Sequence, residues 1–233
     1  YKADFVAYRN AQLKAATPET NKDLSMINGK QNTANCYIVS APGTYKFPLY
    51  YGSSRVDNHD VNASFLNHIP DASTDYMTLA QFKDGIGAIA YPYIDRTINS
   101  AEVIWQSTSG MIKNVSVSGS GQNGYVSFEV DENKIQMGNA IIAVKQNGTI
   151  VWSWHIWITG KDVADVQSGT FMREPIGFVP SSWKRTTYSE NREIRITVKQ
   201  PRSGKTSSIV ITQNPHVEQA QGKAMYFQWG RKD

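Results

Sequence analysis

The sequence predicts an all-β protein, an antiparallel β-sandwich of immunoglobulin-like or transthyretin-like type, with or without a second, smaller β-section. Asn147-Gly148 stands between two apolar runs and is the strongest short-range signal for a β-hairpin in the chain. Strand-like segments recur at intervals of about 8 to 12 residues, the spacing typical of a sandwich. No helical pattern longer than about three turns interrupts them.

The strand predicted at residues 149–159 has the clearest alternation. One face carries only apolar residues and is therefore expected to face the core: Ile150, Trp152, Trp154, Ile156 and Ile158. The opposite face, which includes His155 and Trp157, is mixed and is expected to be solvated or half covered. Further strands are predicted at residues 102–106, 112–118, 125–130, 140–146, 194–199, 207–212 and 225–229.

A second turn signal lies at Ala41-Pro42-Gly43-Thr44, where proline presets φ and glycine accepts a positive φ, as in a type II turn. We expect residues 36–40 and 45–47 to form a hairpin around it.

Three regions follow from these patterns. Residues 1–30 are interpreted as an N-terminal linker or edge segment. Residues 31–160 are interpreted as the β-sandwich domain, with a long insertion at about 52–100. Residues 161–233 are interpreted as a C-terminal β-section that completes or extends the sandwich.

Composition narrows the class of protein. Hydrophobic residues make up 40% and charged residues 19% of the chain, which favours a folded domain over a disordered one. The net charge of +4 comes from scattered Lys and Arg, which argues against a nucleic-acid partner. A single cysteine, Cys36, excludes internal disulfides and cysteine-based zinc sites, and its apolar neighbours favour a small buried hydrophobe.

The chain shows no nucleophile elbow, phosphate-binding loop or zinc-protease motif, so we expect no enzyme, no cofactor and no metal site. The loop Asp57-Asn58-His59-Asp60 is expected to hydrogen-bond to itself, with calcium binding as the alternative. His155 is expected to be structural. A hydrolase that uses Asp57, Asp60 or Asp84 as paired carboxylates is a third, weaker alternative.

Aromatic residues make up 11% of the chain, which is typical of sheet faces and of surfaces that contact sugars. Candidate ligand-binding residues are Tyr50 and Tyr51, just before the long insertion, and Tyr91 and Tyr93 within it. The alternative is that these tyrosines pack in the core or along strand edges.

Five blocks resemble the fimbrillin-like surface lipoproteins and pilus-tip subunits of gut Bacteroidetes. These blocks are TANCYIV and PGTYKFP within residues 33–48, GNAIIAVK at 138–145, WSWHIWIT at 152–159 and YFQWGRKD at 226–233. The resemblance implies an all-β fold, export as a lipoprotein, trimming by a protease and assembly by donor-strand exchange. The lipidated cysteine and leader of these proteins are absent from this chain, and the chain stops at a block after which they usually continue.

From this resemblance we expect a cell-surface fimbrial (pilus) subunit or tip adhesin that assembles by strand addition. Its partners would be other fimbrial subunits or a host or microbial surface ligand. It would lie in the fimbrium at the outer membrane, held peripherally through a lipid anchor that this chain does not contain. The alternative is a surface glycan-binding module that uses exposed aromatic residues.

Overall fold

The computed structural model describes residues 2–61, 83–163, 174–179, 184–188 and 190–219. Its centre consists of two four-stranded sheets that enclose one apolar core. The predicted all-β sandwich is therefore confirmed. The strand predicted at 225–229 lies outside the described residues.

Within the described residues the chain forms one α-helix, α1 (Lys2–Ala15), followed by sixteen strands. The first eight are β1 (Glu19–Asp23), β2 (Met26–Ile27), β3 (Lys30–Gln31), β4 (Cys36–Val39), β5 (Gly43–Pro48), β6 (Arg55–Val56), β7 (His59–Asp60) and β8 (Ser100–Gln106). The last eight are β9 (Ile112–Ser118), β10 (Tyr125–Val130), β11 (Gly138–Gln146), β12 (Thr149–Ile158), β13 (Lys184–Tyr188), β14 (Arg192–Lys199), β15 (Thr206–Gln213) and β16 (His216–Gln219).

Sheet 1 has the strand order β1-β5-β10-β9, and sheet 2 has the order β4-β12-β11-β8. The pairs β5–β10, β10–β9, β12–β11 and β11–β8 are antiparallel. The edge strands β1 and β4 instead run parallel to their neighbours. Both strands come early in the chain, and both lie at an edge of their sheet.

Aromatic side chains from both sheets form the centre of the core. Phe47 of sheet 1 lies with its ring centroid 5.0 Å from Tyr37 and 5.0 Å from Trp154, both of sheet 2. Phe47 and Trp154 are fully buried. Truncation of such a side chain costs about 3–5 kcal/mol, so this cluster is a main source of the free energy of unfolding.

The hairpin predicted at Asn147-Gly148 is confirmed. Asn147 has φ 49° and Gly148 has φ 83°, and β11 pairs with β12 along its whole length. The two positive φ values are those that a tight hairpin turn of this kind requires.

The hairpin predicted around Ala41-Pro42-Gly43-Thr44 is wrong. β4 pairs with β12 in sheet 2, whereas β5 pairs with β1 and β10 in sheet 1. The chain bends at Ala41 and Pro42, but there it passes from sheet 2 to sheet 1 instead of forming a hairpin. A turn signature specifies the local change of direction and says nothing about which strands become hydrogen-bonded neighbours.

The side chains of β12 that face the core are not all those that strict alternation predicts. Ile150 is 40% exposed, while Val151 is buried in the core. The pairing with β11 shifts between Val144 and Lys145, so that Ile150 lies opposite Lys145 and Trp152 opposite Val144. A β-bulge of this kind inserts one residue and turns the following side chains relative to the sheet.

Helix α1 is longer than the weak helical propensity near residues 11–16 predicted. Its buried stripe combines Val6, Arg9 and Leu13 with Asn10, whose side-chain oxygen accepts a hydrogen bond from the Met137 backbone N–H at 2.8 Å. Residues at positions i, i+3, i+4 and i+7 share one helix face. Two of these four positions are polar, so the apolar periodicity is weak.

β14 and β15 form a separate antiparallel hairpin, called the ribbon below, and the described residues contain no strand that pairs it with sheet 1 or sheet 2. β13 and β16 pair at its base. Every residue of β14 and β15 is exposed. The alternation of apolar and polar residues predicted for this section is present, but among the described residues no sheet covers its apolar face.

Candidate functional site

The four candidate tyrosines do lie together, because the two ends of the long insertion pair with each other. The Tyr51 N–H donates to the Pro92 carbonyl at 3.0 Å, and the Ile94 N–H donates to the Leu49 carbonyl at 2.8 Å. Tyr50 and Tyr93 lie opposite each other in this short antiparallel bridge. The base of the insertion is thus fixed next to the core.

Only part of this tyrosine cluster is accessible. Tyr50 is 1% and Tyr51 6% exposed, whereas Tyr91 is 46% exposed and Tyr93 is half-buried. The rings of Tyr91 and Tyr93 stack with centroids 5.2 Å apart and planes 13° apart. Because one face of Tyr91 packs on Tyr93, its other face is the main aromatic surface that a ligand could contact.

A polar network borders the stack. The Tyr50 hydroxyl accepts a hydrogen bond from Arg55 Nη1 at 2.9 Å, and the same nitrogen lies 2.5 Å from Asp60 Oδ1. Gln122 Nε2 donates to Asp60 Oδ2 at 3.3 Å. Burial, together with the nearby Asp60 carboxylate, raises the pKa of Tyr50 to about 12, so its hydroxyl stays protonated at neutral pH.

Asp84 fixes the other end of the insertion. Its side chain is fully buried and accepts hydrogen bonds from the Tyr51 hydroxyl at 2.7 Å and from Arg96 Nε at 2.9 Å. The backbone N–H groups of Ile86 and Gly87 donate to Asp84 Oδ1, each at 2.8 Å. Burial opposes the charged form, but these hydrogen bonds, led by the one from Arg96, hold the pKa of Asp84 below its usual range.

The three aspartates considered for paired-carboxylate chemistry are each bound to a different cation. Asp84 pairs with Arg96, Asp60 with Arg55, and Asp57 with Lys30 at 3.2 Å. Each carboxylate is therefore held by its own cation. The described residues contain no group of three or more His, Cys, Asp or Glu that could hold a metal ion.

His155 is buried on the outer face of sheet 2. Its Nε2 lies 2.7 Å from Asn139 Oδ1, and Asn139 Nδ2 donates to the Gly177 carbonyl at 3.0 Å. Since the amide nitrogen is used by Gly177, the oxygen faces the imidazole and Nε2 carries the proton. Trp157 Nε1 donates to the Phe178 carbonyl at 3.0 Å, so residues 174–179 cover this part of the face. His155 and Trp157 are 3% and 0% exposed, so this part of the mixed face of β12 is buried and not, as predicted, solvated or half covered.

A cleft of about 860 Å³ opens between α1 and the edge strands of the two sheets. Its floor is apolar and comes from four elements or their connections: Leu13, Leu24, Ile38, Ala41 and Tyr45. Charged and polar side chains, among them Lys22, Lys161 and Gln12, line its rim. Its volume falls in the range of ordinary ligand pockets. The sequence contains no local signal for the cleft, since its floor residues are far apart in the chain.

Arg9 closes one end of this cleft. Its guanidinium is almost fully buried and lies 3.3 Å from Asp162 Oδ2 and 3.0 Å from Glu174 Oε1, and it donates to Thr159 Oγ1 at 3.3 Å. Burial raises the pKa of Glu174, although Arg9 acts in the opposite direction. Arg9 therefore ties the helix to the chain that follows β12.

The described part of the chain contains no helix long and apolar enough to cross a membrane. Comparison of the chain with protein-family models, with curated proteins and with solved structures finds no match in any of the three. Function is therefore inferred from the sites described above and from the sequence blocks.

Proposed function

We propose that the chain is a cell-surface fimbrial subunit or tip adhesin that assembles with partner subunits by strand addition. The observation that supports this proposal is the apolar cleft beside β4. β4 is an edge strand, and the described residues supply no strand on its second edge. An extended segment placed there would add ladder hydrogen bonds and bury apolar side chains against the cleft floor.

The sequence blocks that resemble those of fimbrillin-like lipoproteins support the same function. Under this proposal the protein is exported, lies in the fimbrium at the outer membrane, and contacts other fimbrial subunits or a host or microbial surface ligand. A lipid anchor would hold it at the membrane. The proposal involves no cofactor and no nucleic acid.

A synthetic peptide with the sequence of residues 223–230 tests the cleft. Its apolar residues Met225, Phe227 and Trp229 alternate, as a donor strand requires. We expect saturable binding, measured by titration calorimetry. Ile38→Arg places a charge on the cleft floor and should lower the affinity at least about tenfold, because the charge would be desolvated by the peptide.

Ile27→Arg is the matched control, since Ile27 is 55% exposed and does not line the cleft. It should leave the affinity unchanged within about twofold. Absence of saturable binding to the unmodified chain, or an equal loss in both variants, would contradict strand addition at the cleft.

Glycan binding is the second candidate function, and the exposed face of Tyr91 favours it. A flat aromatic face with polar side chains nearby suits the apolar face of a sugar ring. The test is a carbohydrate array on the intact chain. Saturable binding that Tyr91→Ala abolishes, without a change in the urea midpoint of unfolding, would favour this function. Binding that survives Tyr91→Ala would argue against it.

A further inference from the structure

The ribbon has one apolar and one polar face. Ile194, Ile196 and Val198 of β14 lie opposite Ile211, Ile209 and Ser207 of β15, respectively. The five apolar side chains among these are 45–65% exposed. A two-stranded sheet without a covered face is at best marginally stable in water, so this face is a natural contact surface.

The polar face of β14 carries two cations, Arg195 and Lys199, next to a single acidic residue, Glu193. Arg195 lies opposite Val210, and Lys199 lies opposite Thr206. Neither cation makes an ion pair with a described residue. On the same face, Glu193 of β14 accepts a hydrogen bond from the Thr212 hydroxyl.

The outer edge of β14 is long and regular. The eight residues Arg192–Lys199 contain no proline, and their ladder with β15 has no bulge. Every second backbone N–H and C=O of an edge strand points away from its partner. The described residues contain no strand that pairs with these groups.

A further β-strand fits this edge better than a lipid surface or a second ribbon. Open sheet edges do not enter hydrocarbon, because their polar groups would stay unpaired there. A second ribbon would bring like charges together, since residues 190–213 contain five Lys or Arg and two Glu. An added strand with acidic residues would form hydrogen bonds with the outer backbone groups of β14. Its acidic residues would form ion pairs with Arg195 and Lys199.

We propose that the outer edge of β14 accepts an extended segment of a partner protein in which apolar residues alternate with polar ones. Two of those polar residues, four positions apart, are acidic and lie opposite Arg195 and Lys199. The apolar residues extend the strip formed by Ile194, Ile196 and Val198. This inference takes only its mode of contact, strand addition, from the proposed function. It concerns the edge of β14, whereas the proposed function concerns the cleft beside β4.

The probe is the capped peptide Thr-Glu-Val-Thr-Val-Glu-Val-Thr, which matches residues 193–200 in antiparallel register. Its partner probe has both Glu replaced by Lys. We expect the Glu peptide to bind the intact chain at least about tenfold more tightly than the Lys peptide, from two opposed charge pairs. The double variant Arg195→Glu/Lys199→Glu should reverse this preference.

The control variant Arg202→Glu/Lys205→Glu makes the same change in net charge at the turn, away from the β14 edge. It should keep the preference for the Glu peptide within about threefold. All four substituted positions are exposed, so each variant should keep the circular dichroism spectrum of the unmodified chain.

Equal affinity for both peptides, or an unchanged preference in the Arg195/Lys199 variant, would overturn the proposal. So would binding to vesicles of phosphatidylglycerol without binding to either peptide, which would point to a lipid surface. Ile38→Arg should leave binding of the Glu peptide unchanged. Failure at the cleft and failure at the ribbon can therefore be told apart.

Discussion

Replacement of Gly43 by alanine should separate β1 from the rest of sheet 1. Gly43 has φ 125°, and a Cβ built on it would lie 2.1 Å from the Glu19 carbonyl oxygen and 2.6 Å from the Glu19 nitrogen. Both atoms belong to the backbone of β1, which pairs with β5 at this point. The contact cannot be relieved by a side-chain rotation, so β1 itself must move.

The expected loss is about 4 kcal/mol of the free energy of unfolding. The backbone conformation costs a non-glycine residue about 1–3 kcal/mol. Overpacking against a fixed neighbour costs about 1–3 kcal/mol more. A domain of this kind has about 5–15 kcal/mol in total, so the variant should unfold at a clearly lower urea concentration.

Gly148→Ala is the matched control. Gly148 also has a positive φ, 83°, but a Cβ there meets nothing within 4 Å. Its substitution should cost only the conformational part, about 1–2 kcal/mol. Tryptophan fluorescence during urea unfolding measures both variants. If Gly43→Ala and Gly148→Ala lose the same free energy within about 0.5 kcal/mol, the parallel pairing of β1 against β5 would be refuted.

Two further predictions concern buried charges. Arg9→Met should lower the free energy of unfolding by about 3 kcal/mol, because it leaves the carboxylates of Asp162 and Glu174 without their cation. Urea unfolding measures this loss, and a loss below about 1 kcal/mol would contradict the role of Arg9. Asp84→Asn should cost about 3 kcal/mol near pH 7, because it removes the partner of Arg96. Since the folded state lowers the pKa of Asp84, its contribution is complete above the usual aspartate range and is lost as pH falls through the lowered pKa. The difference in urea midpoint between Asp84→Asn and the unmodified chain should therefore shrink near pH 3, and a constant difference would argue against this linkage.

Local signals predicted the strands and one hairpin well. Asn147-Gly148 needs only its own two positive φ values to specify a tight turn, and the structure has them. The chain bends at Ala41 and Pro42, but the pairing of β4 and β5 depends on distant strands. Asn28-Gly29, between β2 and β3, has the same residue pair and likewise two positive φ values, 52° and 76°, and forms a hairpin that was not predicted from the sequence.

Helix α1 is longer than the sequence predicts, and the reason is physical. Arg9 and Asn10 occupy half of its buried stripe, and their polarity is satisfied by Asp162, by Glu174 and by the backbone of Met137. Such partners are not visible in the residues around a helix. A hydrophobic pattern can therefore identify only helices whose buried face is apolar.

The sequence predicted which tyrosines form the candidate site, but not how exposed each one is. Sequence reasoning selected Tyr50, Tyr51, Tyr91 and Tyr93, and the structure brings them together through the paired ends of the insertion. Their unequal exposure depends on tertiary packing. The cleft floor could not be predicted at all, because its residues meet only when α1 and both sheets are in place.

The central claim is that an added strand pairs with the outer edge of β4, on which the described residues place no strand. Hydrogen–deuterium exchange of the backbone amides, with and without the peptide of residues 223–230, tests it most directly. The account predicts slower exchange in the β4 segment, residues 36–40, when the peptide is bound. It predicts no change in β9, which lies at the edge of sheet 1 opposite β1. Peptide binding that leaves exchange in β4 unchanged, or that protects only the ribbon, would contradict it.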